Sequence, residues 1–409
     1  MLAAAAAPCA DAPRNLTWEG CVKTAKAGNS ILNQARFRLD AARADRNAAL
    51  GSFLPRVSGS VSASDSGTEP AFSGYDPGYG ASLSASQSLF SGFSTASDVV
   101  RNYASVRKEK ARLRRDEAAV RESLRKAFLN LLYSQEYVVL LEDIARRRAD
   151  NADLVRLRYE AGREDKGSSM RVAADARQAA YDVTRARRAL NLAQHQLLGE
   201  MGLDEFGSVK VAGDWTSTPP PEPGDLQDLA ASLPSVVEAE ASLTETKASF
   251  TSALSPFFPS VDASAGLSRD GEVWPPTDRG WSAGVSLSYN FFNGGRDAFK
   301  ALAARAQLKS AREGLSAARR DARIALEDAL NSYLDAFEAL EVRKLYLEAT
   351  KERAQIGRAQ YGNGLLDFTQ WDIIESELVG SEQGFLRARR DALYAQAAWR
   401  RVLGEGFEQ

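Results

Sequence analysis

The sequence predicts a mixed α+β membrane protein: a channel built by several chains, with a shared β-barrel at one end and a coiled-coil tube behind it. Three observations predict this. The chain is written twice, residues 54–199 and 258–404 showing the same order of elements. Four short segments alternate apolar and small polar residues with period two. Two proline-free stretches carry helical periodicity over about 65 residues each, far beyond an ordinary globular helix. The duplication is legible in paired motifs. Ser88-Leu-Phe-Ser-Gly-Phe93 matches Asn290-Phe-Phe-Asn-Gly-Gly295, and Arg158-Tyr-Glu-Ala-Gly162 matches Gln360-Tyr-Gly-Asn-Gly364. Leu198-Gly-Glu200 matches Leu403-Gly-Glu405 in the same way.

The strands come first. Along Arg56–Ser64 one face reads Val57, Gly59, Val61, Ala63 and the other carries Arg56 and serines. Tyr79, Ala81, Leu83, Ala85 and Leu89 oppose Gly80, Ser82, Ser84, Ser86 and Ser88. In the second copy Val261, Ala263, Ala265 and Leu267 oppose Ser260, Asp262, Ser264 and Ser268. Trp281, Ala283, Val285, Leu287, Tyr289 and Phe291 likewise oppose Ser282, Gly284, Ser286, Ser288 and Asn290. Period two gives each strand one apolar and one small polar face. A half-buried sheet of a soluble domain would alternate too. Three features favour a bilayer: a length of about ten residues, a serine- and glycine-lined polar face, and aromatics near the ends. The linkers Asp65–Gly78 and Arg269–Gly280, rich in Gly, Pro and Asp, read as exposed loops. Four strands cannot close a barrel, and lipid-exposed strand edges are forbidden. Three chains would supply twelve strands, for a backbone diameter of roughly 23 Å.

The long helices run from about Thr95 to Tyr159 and from about Arg296 to Tyr361, each ~97 Å long. Shorter helices are expected over Thr17–Leu50, Ser169–Gly199, Pro234–Ser255 and Thr369–Gly404. Their lengths let two short helices, stacked end to end, accompany one long one. The Pro-rich linker Trp215–Gly224 then falls where two short helices meet. Twelve helices from three chains at ~10 Å spacing would enclose a tube roughly 28 Å wide. The expected divisions are an N-terminal segment (1–16), a first repeat (17–200), a mid-tube linker (201–232) and a second repeat (233–405).

Composition is that of a folded protein: 409 residues, 44% hydrophobic and 26% charged. Lys and Arg (52) nearly cancel Asp and Glu (54), so no global field points to nucleic acid. No run of eighteen apolar residues is present, which excludes a transmembrane helix but not membrane strands. The start, Met1 to Ala10, fits either the remnant of an export signal or an Ala-rich tail. Cys9 and Cys21 are the two cysteines. In an exported protein they could form a disulfide; in a reducing compartment they would stay inert thiols. Pro8 before Cys9 argues against a lipoprotein cleavage site.

The ordered motifs resemble the TolC family of outer-membrane efflux proteins over about Leu16 to Gly404. They are the Leu16-Thr-Trp-Glu19 opening, the Leu54-Pro55 and Phe258-Pro259 strand starts, the Phe90-Ser-Gly92 and Phe292-Asn-Gly294 strand ends, and the Tyr159-x-x-Gly162 and Tyr361-x-x-Gly364 turns. The resemblance implies a homotrimer in the outer membrane of a Gram-negative bacterium, with a periplasmic helical tunnel. It also implies a lipid bilayer around the barrel, a periplasmic adaptor (membrane fusion) protein, and an inner-membrane transporter of RND or ABC type. Family tunnels are shut at the periplasmic tip, which the turns place at residues 159–169 and 361–372. Candidate aperture residues are therefore Tyr159, Gly162, Arg163, Asp165, Tyr361, Gly364, Asp367 and Asp372. The first tip, Arg163-Glu-Asp-Lys-Gly167, departs from the family's small apolar pattern.

Charge supports the same region. The first hairpin carries Arg156, Arg158, Arg163, Lys166 and Arg171; the second carries Asp367, Asp372, Glu375 and Glu377. Opposite signs could pin the hairpins, each exposed pair contributing only ~0–1 kcal/mol; a solvated coiled-coil face is the competing reading. Catalytic chemistry has no foothold. The single histidine, His195, reads as a surface or tunnel-facing residue, and no Cys/His cluster has metal spacing. Arg146-Arg-Arg148 reads as a solvated face, not a nucleic-acid site. No cofactor and no nucleic-acid partner is expected. Three functional readings stand: a passive exit duct for small-molecule efflux, the same duct serving type I protein secretion, and a coiled-coil stalk with a soluble β head. Charges on both strand faces would mark the stalk, and these strands lack them.

Overall fold

The computed structural model describes residues 14–66, 76–204, 207–213, 216–222, 224 and 226–407. Its chain order is β1 (Arg14–Leu16), α1 (Trp18–Gly28), α2 (Ser30–Gly51), β2 (Arg56–Ser66), β3 (Asp76–Ser91), α3 (Ser94–Glu160), α4 (Lys166–Glu200) and β4 (Val209–Val211). There follow α5 (Leu226–Ser232), α6 (Pro234–Ala253), β5 (Ser260–Gly271), β6 (Asp278–Ser288), α7 (Arg296–Gly362) and α8 (Phe368–Val402). Both long helices are 67 residues, or ~100 Å. The chain forms two compact units, residues up to 35 with 113–233 and 321–409, and residues 36–112 with 234–320. Each draws on both copies of the repeat.

The second unit holds a four-stranded antiparallel sheet in the order β2-β3-β5-β6. Its register puts all four alternations in phase. Gly59, Leu83, Leu267 and Trp281 form one apolar row, while Ser58, Ser84, Gly266 and Ser282 form a row on the other face. The hydroxyls of Ser58 and Ser84, and of Ser60 and Ser82, bond across the strands at 2.8 Å. The apolar face has no cover: Val61, Leu83, Leu267 and Val285 are exposed, and Trp281 is 79% exposed. β2 and β6 each pair on one side only. Strand ends differ from expectation. β3 begins at Asp76 and β6 at Asp278, so both hairpin linkers are shorter than the Gly/Pro/Asp composition suggested. In the same unit α6 is zipped to the long helices by Arg112–Glu238 (2.7 Å), Lys108–Glu245 (2.6 Å) and Glu240, which takes both Arg107 and Arg319 at 3.2 Å.

The first unit is helical around a core of Leu124, Phe128, Leu131, Leu197, Met201 and Leu393. Here the helix expected over Thr17–Leu50 is broken at Asn29. Its backbone N–H closes α1 on Ala25, its side-chain oxygen caps α2 through Ile31 and Leu32, and its amide donates to the Glu200 carbonyl. A small parallel ladder pairs β1 with β4, an element too short for periodicity to reveal. Cys21 is buried in the core, and burial pushes its thiol up to about 11, an inert state. Cys9, and Trp215 of the Pro-rich linker, lie outside the described residues.

Gly202 ends the α4 segment at φ +76, and an added Cβ would collide with the Gly28 carbonyl and come within 2.9 Å of the Asn29 nitrogen. Gly202→Ala is therefore expected to cost about 2–4 kcal/mol. A lower Tm of the purified protein would register it, with Gly199→Ala, where nothing lies within 4 Å, as the neutral control.

Candidate gate at the hairpin tips

Each tip is turned by the same local chemistry. Gly162 (φ +70) and Gly364 (φ +76) take the left-handed conformation that closes a helix end. The reversing bonds run from Arg163 N–H to the Arg158 carbonyl (2.8 Å) and from Leu365 N–H to the Gln360 carbonyl (2.9 Å). An aspartate then starts each return helix. Asp165 accepts from the Ser168 backbone N–H at 2.9 Å and its hydroxyl at 2.6 Å; Asp367 accepts from the Gln370 N–H at 2.8 Å. The Ser168 bonds hold the Asp165 carboxyl below its ordinary pKa.

Above the second turn the two hairpins grip one another. Tyr361 is buried, with Trp371 stacked on one face at 4.3 Å and the Arg158 guanidinium over the ring at 4.3 Å. Arg158 also donates to the Tyr361 carbonyl at 2.7 Å, and the Tyr361 hydroxyl donates to Glu164 Oε2 at 2.9 Å. Val155 and Val172 complete the apolar pack. Thus a ring from α7 is clasped by a cation from α3 and a carboxylate from the first turn.

Ion pairs extend the grip. Asp372 takes Arg148 at 3.3 Å and Arg171 at 3.7 Å, and Arg147 meets Glu382 through both guanidinium arms. Arg147, Arg148, Asp372 and Glu382 are all less than one-fifth exposed, so solvent screens them weakly. Within the second hairpin Arg358 holds the buried Glu375 by two bonds of 2.6 and 2.9 Å.

The sequence matches the family described as outer membrane efflux protein over residues 21–202 and 226–405. The chain belongs to that family. It is accordingly an outer-membrane efflux duct, and the family is one of channels, not enzymes. Solved structures share the fold. A crystal structure of CusC is 17% identical, covers 99% of both chains and superposes with a TM-score of 0.87. The Campylobacter jejuni CmeC outer membrane channel is 14% identical over 94% of this chain and 85% of its own, TM-score 0.84. The open state of the Neisseria gonorrhoeae MtrE outer membrane channel is 18% identical over 95% and 88%, TM-score 0.83. No curated protein sequence matches the chain.

Within this efflux protein six of the eight candidate tip residues divide into two groups. Gly162, Gly364, Asp165 and Asp367 build the turns; Tyr361 and Asp372 join one hairpin to the other. Tyr159 and Arg163 are exposed. Of the cations expected to pin the second hairpin, Arg171 reaches Asp372, whereas Arg156 pairs with Asp153 and Glu160 of its own helix. Glu375 and Glu377 bond Arg358 and Arg353 of their own hairpin. The reading of Arg146-Arg-Arg148 as a solvated face is overturned for two of the three, since Arg147 and Arg148 point into the bundle against acids over two hundred residues away. Glu164 and Trp371 were missed; the stack on Trp371 follows helical spacing from the Asp367 cap and could have been anticipated.

Burial, reinforced by Glu164, pushes the Tyr361 hydroxyl up to about 12, with Arg158 pulling the other way. The raised folded-state value means the neutral phenol contributes stability at all pH below about 10, lost as pH rises through about 12. Channel leak in bilayers is thus expected to climb between those limits, and Tyr361→Phe should abolish that rise. An unchanged alkaline profile in the phenylalanine variant would remove the phenol from the contacts that hold the hairpins together.

Proposed function

We propose that three copies of this chain close one twelve-stranded barrel in the outer membrane, continue it as a periplasmic helical tunnel, and shut the tunnel with the hairpin tips. The observation that carries this reading is the sheet: four in-phase strands with one largely uncovered apolar face, a hydroxyl-lined opposite face and two unpaired edges. In water such an apolar face would aggregate; in lipid it is the required surface, and only neighbouring copies can satisfy the edges. The hydroxyl face then lines a wet lumen.

The latch around Tyr361 and Asp372 holds the closed state, and a periplasmic adaptor with an inner-membrane transporter supplies the force that opens it. On this reading the duct is passive, and cargo choice rests with the transporter. Two measurements test this. Sedimentation of the detergent-purified protein should give three chains per particle, and a stable detergent-free monomer would overturn the assembly. Deletion of the gene should raise dye retention in cells; a defect confined to secreted proteins would move the duct to polypeptide export.

A further inference from the structure

On the apolar face of the sheet, the β5–β6 hairpin runs through successive cross-strand pairs: Val261–Leu287, Ala263–Val285, Ala265–Ala283, Leu267–Trp281 and Arg269–Arg279. All are apolar until the last, which sets two arginines directly opposite each other. Both arginines are exposed. Alternation turns the adjoining acids away from them. Asp270 pairs with Asp278 on the serine face, where a Cβ added to Gly80 would stand 2.8 Å from Ser62 Oγ and 3.4 Å from Asp270 Oδ1. Asp65, on the apolar side of β2, lies two strands from Arg269 and nearer the turns than Val61, the β2 residue in the arginine row.

The pair sits at one end of the apolar band. α2, α3, α6 and α7 all join the sheet at the end opposite the hairpin turns. With the helices in the periplasm, the turns face outward and the arginines lie on the outer-leaflet side. From Val261 to Arg269 the strand climbs about 27 Å, or ~21 Å of height at a tilt of ~40°, against an apolar band of about 25 Å. The guanidiniums therefore reach headgroup level by snorkelling. Trp281 one pair inward and Tyr79 one row outward mark the same interface. Like charges set directly opposite repel, and an anion held between them reverses that sign. The β2–β3 hairpin has Val61–Ala81 in this row, so the feature belongs to the second copy of the repeat alone.

We propose that Arg269 and Arg279 clamp a phosphate on the headgroup of an outer-leaflet lipid, one per chain, whose acyl chains lie along Leu267, Trp281 and Val285. Two planar guanidinium forks match a tetrahedral oxyanion, and the clamp runs without a break into exposed apolar surface. That continuity selects an acylated phosphate over a free one. The inference rests on the apolar face being the lipid face, as proposed above.

Native mass spectrometry of the full detergent-purified protein with diphosphorylated lipid A tests it. One retained lipid per chain is expected, with the same lipid stripped of its phosphates binding at least about tenfold more weakly. Arg269→Gln and Arg279→Gln should each weaken binding about tenfold or more. Ala81→Arg places a third guanidinium beside Arg269 and should tighten it, a gain that a damaged fold could not produce. Arg56→Gln, on the serine face at the helix end, should leave it unchanged. No preference for the phosphorylated lipid, wild-type binding in both glutamine variants, no gain in Ala81→Arg, or displacement of the lipid by inorganic phosphate would each overturn the clamp. The lipid face is checked separately with brominated-acyl phosphatidylcholine, which should quench Trp281 fluorescence, read as the difference from Trp281→Phe. Quenching without phosphate preference sinks the clamp alone; absence of quenching sinks the lipid face and the clamp with it.

Discussion

Replacing Arg158 with alanine is expected to turn a mostly closed pore into one that leaks continuously. Two interactions vanish together: the guanidinium over the Tyr361 ring and the bond to the Tyr361 carbonyl. A cation–π contact contributes about 0.5–2 kcal/mol and a charge-assisted bond about 1.5–3, so the closed state should lose about 2–5 kcal/mol per chain. Tyr361 keeps its stack on Trp371, which leaves the hairpin itself folded. Arg156→Ala is the matched control, two residues away and paired within its own helix. Single-channel recording should show long open times for Arg158→Ala and wild-type closure for Arg156→Ala. Identical traces from the two variants would remove Arg158 from the latch. Asp372→Ala should act in the same direction by stranding Arg148, whereas Asp367→Ala should cost about 1 kcal/mol of helix cap with little leak.

The second large effect belongs to the sheet. Leu83 faces Leu267 across the β3–β5 pair with half its surface exposed, and Ser82 faces Ser268 on the opposite side. An arginine at a lipid-facing midplane position costs about 2–4 kcal/mol per chain, while a lumen position tolerates charge. Leu83→Arg should therefore deplete assembled trimer from the outer-membrane fraction. Ser82→Arg should assemble and instead lower cation conductance. If both variants assembled equally well, the apolar face would not be the lipid face.

Much of this was written locally and could be read without a structure. Period-two alternation fixes which residues share a face, and the register of Gly59, Leu83, Leu267 and Trp281 only lines those faces up. The long helices declared themselves by missing prolines, and Gly162 and Gly364 by the need for positive φ. What escaped notice depends on partners distant in sequence. The break at Asn29 exists because its amide finds the carbonyl of Glu200, and Arg148 is drawn inward because Asp372 awaits it. Both residues have surface-like chemistry, so a one-dimensional pattern assigns them to solvent. Glu164 escaped for a related reason: in a highly charged turn nothing distinguishes the acid that meets a phenol from those that meet water.

The two tips use one turning recipe, a left-handed glycine followed three residues later by a capping aspartate, yet their other side chains have diverged into a charged loop and an aromatic one. Gene duplication has thus left a pseudosymmetric pair in which backbone shape is conserved by two residues and everything between is free to specialise. One arm can evolve as clasp and the other as catch without either forfeiting its bend, which gives this duct room to retune its opening threshold one substitution at a time.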